Sequence, residues 1–333
     1  MATLAVLLVC ASCKERTPST PGESAATDGS APDASGSQAE KVPDASLLSD
    51  DWDGGMEVAD LQPGITVDMP LVTHLLPLAG NVDVANRYLS AVRVTVRFNE
   101  EQRGFCSGAI ISRRLILTAG HCVCQQRQAP SESNTTQGLI DGSACAKTAT
   151  VSTTAYGPPK GSKEKIYLER TSYEGQVHPH PMLRILLGAD GRVASSNADL
   201  AVIALDEPLE KEFPPLPLAD EDLQLNESIV IVGSGYDETA RAYDGERRAS
   251  INKVIEDLPS SGGRMRILQP GGHHYRGDSG GPCLREGPGR TVLVGISSRN
   301  LGEGEALQSI HGYLDWLRSE IQRAERKHSP HPK

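Results

Sequence analysis

The stretch AVRVTVRF, residues 91–98, sets the terms for the rest of the chain. Val92, Val94, Val96 and Phe98 fall on one side of an extended backbone and Arg93, Thr95 and Arg97 on the other, the period of a half-buried strand. LILTAG (115–120), DLAVIAL (199–205), SIVIVG (228–233) and TVLVGI (291–296) are apolar runs too short for helices and bounded by turn residues. Each predicts a buried strand. Aromatic content of only 4%, with 33 glycines and 22 prolines, favours turns and short strands over a helical bundle. A single helix is expected near the C-terminus, where Ile310, Tyr313, Leu314, Leu317 and Ile321 recur at helical spacing and offer one apolar face to the body of the domain.

A chain of 333 residues, 38% of them hydrophobic, can build one large domain or two small ones. Thirty-three basic residues against 43 acidic ones leave a net charge of −10, and no long basic stretch offers a phosphate-binding surface, which argues against a nucleic-acid partner. At the N-terminus, LAVLLVCASC ends in Ala11, Ser12 and Cys13 and resembles a bacterial lipoprotein signal over residues 1–13, with Cys13 as the acylated residue. The alternatives are an ordinary secretory signal and an apolar start without a targeting role. The lipoprotein and secretory readings both send the chain out of the cytoplasm, either lipid-anchored to a cell-envelope membrane or secreted. No later run approaches the ~18 apolar residues of a spanning helix, so lipid is the only membrane attachment expected. Residues 14–64 are read as a disordered tether, because the stretch from Lys14 to Ser46 is too poor in large apolar side chains to bury a core. The acidic part from Leu47 onward is either tether or pro-segment. One ordered domain is expected over residues 65–325, with a basic tail over 326–333, and no internal repeat is evident.

Chemistry is concentrated around Ser279 in GDSGGP, residues 277–282. A serine hydroxyl is a poor nucleophile unless a base takes its proton, an acid orients the base, and amide donors meet the developing oxyanion. The flanking glycines permit backbone angles that aim two N–H groups at one point. Two polar residues stand at the rims of buried strands upstream: His121, ending LILTAGHC, and Asp199, opening DLAVIAL.

Together, CSGAIISRRLILTAGHC, NADLAVIAL and GDSGGP resemble the three catalytic blocks of the trypsin-like, chymotrypsin-fold serine proteases, in the same order. The resemblance spans roughly residues 80–323. It implies an all-β fold of two six-stranded antiparallel β-barrels, with the active site between them and a C-terminal α-helix. It also implies the roles: Ser279 as nucleophile, His121 as base and then acid, Asp199 as its orienting partner, the amides of Gly277 and Ser279 as the oxyanion hole, and Asp278 as a brace for that loop. Gly277 to Gly281 also fits the G-x-S-x-G elbow of α/β-hydrolases, but that fold places its acid and histidine after the serine, whereas His121 and Asp199 both precede it. The expected activity is endopeptidase cleavage of protein or peptide substrates, without cofactor. The alternative is an inactive protease-fold protein that serves as a binding module.

The resemblance further pairs Cys106 with Cys122 beside the histidine, and Cys124 and Cys145 are then expected to close the insertion between them. Cys283 is left over, because the family's cysteine two residues before the oxyanion glycine is replaced by Tyr275. His178 and His180, in VHPHP, could suggest a metal pair, but no cysteine or carboxylate completes a ligand set, and they are read as part of a surface loop. The residue at the base of the family's specificity pocket corresponds to His273, followed by His274, where a trypsin has an aspartate; Ser298, Arg299 and Asn300 would form the walls. Imidazole and guanidinium groups there would suit an acidic side chain, the alternative being that His273 merely fills the pocket. No basic residue precedes LPLAGNVDVANRY, where relatives are cut to become active, so either a separate activating protease cuts near Leu78, or no cut is needed, or the chain stays a zymogen.

Overall fold

The computed structural model describes residues 67–68, 81–100, 102–129, 138–157, 167–235, 245–258, 262–268, 278–298 and 306–326. Among them, six strands form a first barrel: β1 (Ala91–Arg97), β2 (Arg103–Ser112), β3 (Leu115–Thr118), β4 (Thr148–Gly157), β5 (Tyr167–Pro179) and β6 (Ala201–Leu205). A second barrel comprises β7 (Ser228–Gly233), β8 (Arg248–Leu258), β9 (Arg264–Leu268), β10 (Pro282–Gly287), β11 (Arg290–Ser298) and β12 (Ala306–Ser309). The first closes in the order β1-β2-β3-β6-β5-β4, with β4 back on β1, and the second in the order β7-β8-β9-β12-β11-β10, with β10 back on β7. Every pairing is antiparallel, and the two cyclic orders are the same. Closure leaves neither barrel an open edge.

Alternation decides which side chains enter the core. Val92, Val94 and Val96 are at most 1% exposed, while Arg97 on the other face is exposed. LILT and AVIAL lie buried in β3 and β6, and SIVIVG and TVLVGI lie within β7 and β11. After a 3-10 turn at His311–Tyr313, helix α1 (Leu314–Arg326) buries Leu314 and Leu317 against the body. It continues through Arg326, so the stretch Arg323–Arg326 is helical; Ala324 is buried there and Arg323 Nη1 reaches Glu320 Oε1 at 2.9 Å.

The segment VHPHP is not a surface loop. Val177–Pro179 end β5, paired with Ala201–Ile203 of β6. The His180 ring is buried, with the rings of Tyr313 and Trp316 edge-on at 5.1 and 4.6 Å. His178 Nδ1 lies 3.7 Å from the buried carboxylate of Glu320, so the helix claims both imidazoles. Among the described residues no helix is long and apolar enough to cross a membrane.

A further antiparallel sheet lies outside the barrels, in the order Val193–Asn197, Arg184–Leu187, Gly138–Asp141, Arg127–Gln128. Two separate insertions build it. One lies between Cys124 and Cys145, just after His121, and the other is the hairpin just before Asp199.

Candidate active site

The pairing of β3 with β6 explains why two residues 78 positions apart meet. The strands are antiparallel neighbours in the register Ala201↔Thr118, so the end of β3 and the start of β6 lie at the same rim. The chain leaves β3 into a single helical turn, Gly120–Val123, that carries His121, and enters β6 from Asp199. His121 Nδ1 stands 2.8 Å from Asp199 Oδ2, and the His121 amide donates to Asp199 Oδ1 at 2.9 Å. An ionised carboxylate only accepts, so Nδ1 must carry a proton, and in the neutral ring Nε2 is then the nitrogen with the free lone pair. The hydroxyl of Ser298, at the end of β11, donates to Asp199 Oδ2 at 2.6 Å from the other barrel. Burial alone pushes the Asp199 carboxyl up; the charge of His121 and the hydrogen bonds from His121 and Ser298 outweigh it and hold the group well below the usual carboxylate range. Ala198, just before it, takes the left-handed backbone at φ 48°, and its amide donates to the Tyr313 hydroxyl at 3.2 Å.

Ser279 comes from the second barrel, on the turn leading into β10. Its carbonyl accepts from the Ser107 amide of β2 at 2.8 Å, and the Gly280 amide donates to Ser297 of β11 at 2.7 Å. Gly280 has φ +80°, and a Cβ there would strike the Thr118 hydroxyl and the Ser107 carbonyl; one on Gly281 would strike the Val232 carbonyl. The two glycines therefore serve close approach of the serine turn to the histidine-bearing strand as well as backbone freedom. Asp278 braces the turn from behind, accepting from the Gly235 amide at 2.9 Å.

The Cys106–Cys122 disulfide is formed. Cys122 Sγ lies 3.9 Å from His121 Nε2 and 3.5 Å from the Ser279 carbonyl oxygen, so one sulfur touches both the candidate base and the serine turn. Among the described residues the Ser279 hydroxyl makes no hydrogen bond, to His121 or otherwise; such contacts are often loose before substrate arrives. The Cys124–Cys145 disulfide closes the base of the outer sheet, and Cys283 is a buried free thiol on β10.

His121, Asp199 and Ser279 are thus brought to one seam between the barrels. Ser298, expected as a pocket wall, is buried with its hydroxyl turned to Asp199. Its position at the end of the run TVLVGISS marks it as a strand terminus but carries no sign of this partner. Tyr313 is a second supporting residue, visible in the sequence only as part of an apolar helix face. Gly277, His273, His274, Tyr275, Arg299 and Asn300 lie outside the described residues, as do Cys13, the tether over 14–64, Leu78 and the tail from residue 327.

Two closed barrels with this constellation at their seam define the class of the trypsin-like serine proteases. The chain belongs to the Trypsin family, whose family model matches residues 81–317. It is 25% identical over 272 residues to tissue-type plasminogen activator of Homo sapiens, covering 72% of this chain and 43% of the relative. To coagulation factor XII of Cavia porcellus it is 27% identical over 227 residues, covering 64% of this chain and 36% of the relative. The chain thus spans less than half the length of these curated relatives. Among solved structures, a scabies mite inactivated protease paralogue aligns with TM-score 0.52 at 18% identity, covering 74% of this chain and 99% of that one. GrC aligns with TM-score 0.53 at 16% identity over the same shares.

Proposed function

We propose that the protein is a serine endopeptidase that cuts peptide bonds through Ser279, His121 and Asp199. The observation that carries this reading is the His121–Asp199 pair, 2.8 Å apart, on the seam to which the Ser107 amide ties the Ser279 turn. In this reading Ser279 Oγ attacks the scissile carbonyl and His121 Nε2 takes its proton. Asp199 holds the imidazole in that tautomer and stabilises it once charged, with the Ser298 hydroxyl adding one hydrogen bond to the ionised carboxylate. The tetrahedral oxyanion is met by the amides of Gly277 and Ser279. His121 then protonates the leaving amine, and water hydrolyses the acyl-enzyme by the same steps in reverse.

The two disulfides support a working place outside the cytoplasm, with Cys13 as the lipid-bearing residue of an anchored form. A binding module is the second reading, favoured by the Ser279 hydroxyl having no hydrogen bond to His121.

Intact mass of the protein with and without a fluorophosphonate probe, beside Ser279→Ala, separates the two readings. A single adduct on the wild type alone supports the enzyme, and the unlabelled mass reports whether the chain is cut near Leu78. No adduct on an uncut chain indicates a zymogen, while no adduct on a cut chain favours the binding module.

A further inference from the structure

The outer sheet offers a cation at the lip of the seam. Arg184 opens one of its central strands and stands directly opposite Asn197 on one side and Asp141 on the other. Asp141 is already taken: Arg127 Nη2 reaches its Oδ2 at 2.5 Å, and the Ser143 amide and hydroxyl donate to its Oδ1 at 3.0 and 2.6 Å. The neighbouring charges of the hairpin tip, Arg192 and Asp190, face each other at 3.7 Å. Arg184 is exposed and its side chain makes no hydrogen bond or ion pair among the described residues, on a protein whose net charge is −10.

Its place matters because Asn197, which ends the outer sheet's edge strand, is where that sheet meets the second barrel. A Cβ on Gly262 would press on the Asn197 backbone and side chain, and the Gly262 carbonyl accepts from the Tyr313 hydroxyl at 2.7 Å. Two residues after Asn197 comes Asp199. One cross-strand step and the two-residue turn through Ala198 keep the Arg184 backbone within roughly 12 Å of that of Asp199, at most three to four residues of extended peptide. The sheet is anchored as well as placed: Ile140, Ile185 and Leu187 join the main hydrophobic core, and Leu183 packs on Gly120 beside His121.

We propose that Arg184 is a substrate-selecting residue that pairs with an acidic side chain about three to four positions from the bond cut at Ser279. This rests on the proteolytic reading above. Binding outside the reacting centre makes it a KM effect, with kcat little changed.

The test is a set of otherwise identical peptides in which one Asp is moved through the five positions on either side of the scissile bond. These are cut by the wild type, Arg184→Ala, Arg184→Glu and Arg184→Lys. For the wild type, Asp at one position three or four residues from the cut should raise kcat/KM about 3- to 5-fold through KM, the size expected of an exposed ion pair. The preference should weaken with salt, vanish in Arg184→Ala, turn to Lys in Arg184→Glu and persist in Arg184→Lys. Turnover with no preference for Asp at any such position, or with one that survives Arg184→Ala and Arg184→Glu, overturns the role of Arg184 alone. No turnover together with no fluorophosphonate adduct on Ser279 overturns the proteolytic reading, and the role of Arg184 with it.

Discussion

The backbone amide of Ser107 donates to the carbonyl of Ser279 at 2.8 Å, and the rest of Ser107 is committed to the same junction. Its hydroxyl accepts from the Ser234 amide at 3.0 Å and its carbonyl accepts from the Thr118 hydroxyl at 2.8 Å. One fully buried residue of β2 thereby joins the serine turn, the end of β7 and the strand that delivers His121. Ser107→Ala keeps the two backbone bonds and strands the Ser234 amide. A buried donor left without its acceptor costs about 1–3 kcal/mol, and each kcal/mol lowers Tm by roughly 2–4 °C in a domain of this size. Calorimetry should show that fall, with slower fluorophosphonate labelling of Ser279. A variant with wild-type Tm and labelling rate would mean that the junction does not hold the serine in place.

Asp199 supports two separable predictions. Asp199→Asn keeps the shape but offers His121 an amide, which favours the wrong imidazole tautomer, so kcat should fall by about 10⁴. Ser298→Ala removes one of several bonds to the carboxylate and should cost far less, on the order of 10-fold. The folded carboxyl is held below its unfolded value near 3.9, so its contribution to stability is fully present above that pH and is lost as pH falls toward the folded value. Thermal melts from pH 7 to pH 2 should show the wild type losing its advantage over Asp199→Asn only below about pH 4. A gap that closed between pH 7 and pH 5 would contradict a depressed carboxyl.

How far the sequence announced this structure depended on how local each feature was. Val92, Val94 and Val96 declared their strand because alternation is written in adjacent residues. His121 and Asp199 declared their rims because each borders a buried run. The two closed barrels were legible only through the resemblance carried by the three blocks, and the shared cyclic order not at all, since a strand's pattern specifies its faces and not its neighbours. The outer sheet escaped for the same reason: Gly138–Asp141 and Arg184–Leu187 pair across more than forty residues of sequence. His180 read as a surface histidine because the aromatic edges that bury it come from a helix more than 130 residues later. Arg247, in GERRAS, has a fully buried side chain whose partners come from distant parts of the chain, so nothing local in the sequence marks it.

That burial yields a further prediction. Arg247 Nε donates to Asp83 Oδ2 at 2.9 Å, its guanidinium also reaches the Thr154 carbonyl and Asn86 Oδ1, and its amide donates to the Tyr156 hydroxyl at 2.9 Å. The cluster joins the segment before β1, the β4 strand of the first barrel and the approach to β8 of the second. Asp83 has further donors in the amides of Arg87 and Tyr88, both at 2.8 Å. Among the described residues Asp83 is the only carboxylate facing Arg247, and Asp83→Ala removes it and frees two amides as well, so it should cost about 3–5 kcal/mol. Arg247→Met leaves Asp83 its two amide donors and should cost less. In urea melts, an Asp83→Ala midpoint no lower than that of Arg247→Met would reject this ordering.

Cys283 sits four residues beyond Ser279, on β10, fully buried between Ile231 of β7 and Gly295 of β11. Burial pushes its thiol well above the ordinary range, so almost none is thiolate at neutral pH. A maleimide or iodoacetamide should therefore leave Cys283 unmodified in the native protein and react with it only in denaturant, with mass mapping of its peptide as the readout. Cys283→Ser places a hydroxyl in the same apolar setting and should destabilise by about 1–3 kcal/mol, whereas Cys283→Ala should keep the peptidase activity. Rapid labelling of Cys283 in the native state would mean that β10 opens on the timescale of the reagent. The Ser279 turn, which leads into that strand, would then move with it, and the contacts from Ser107 and Gly280 would be too weak to fix the nucleophile.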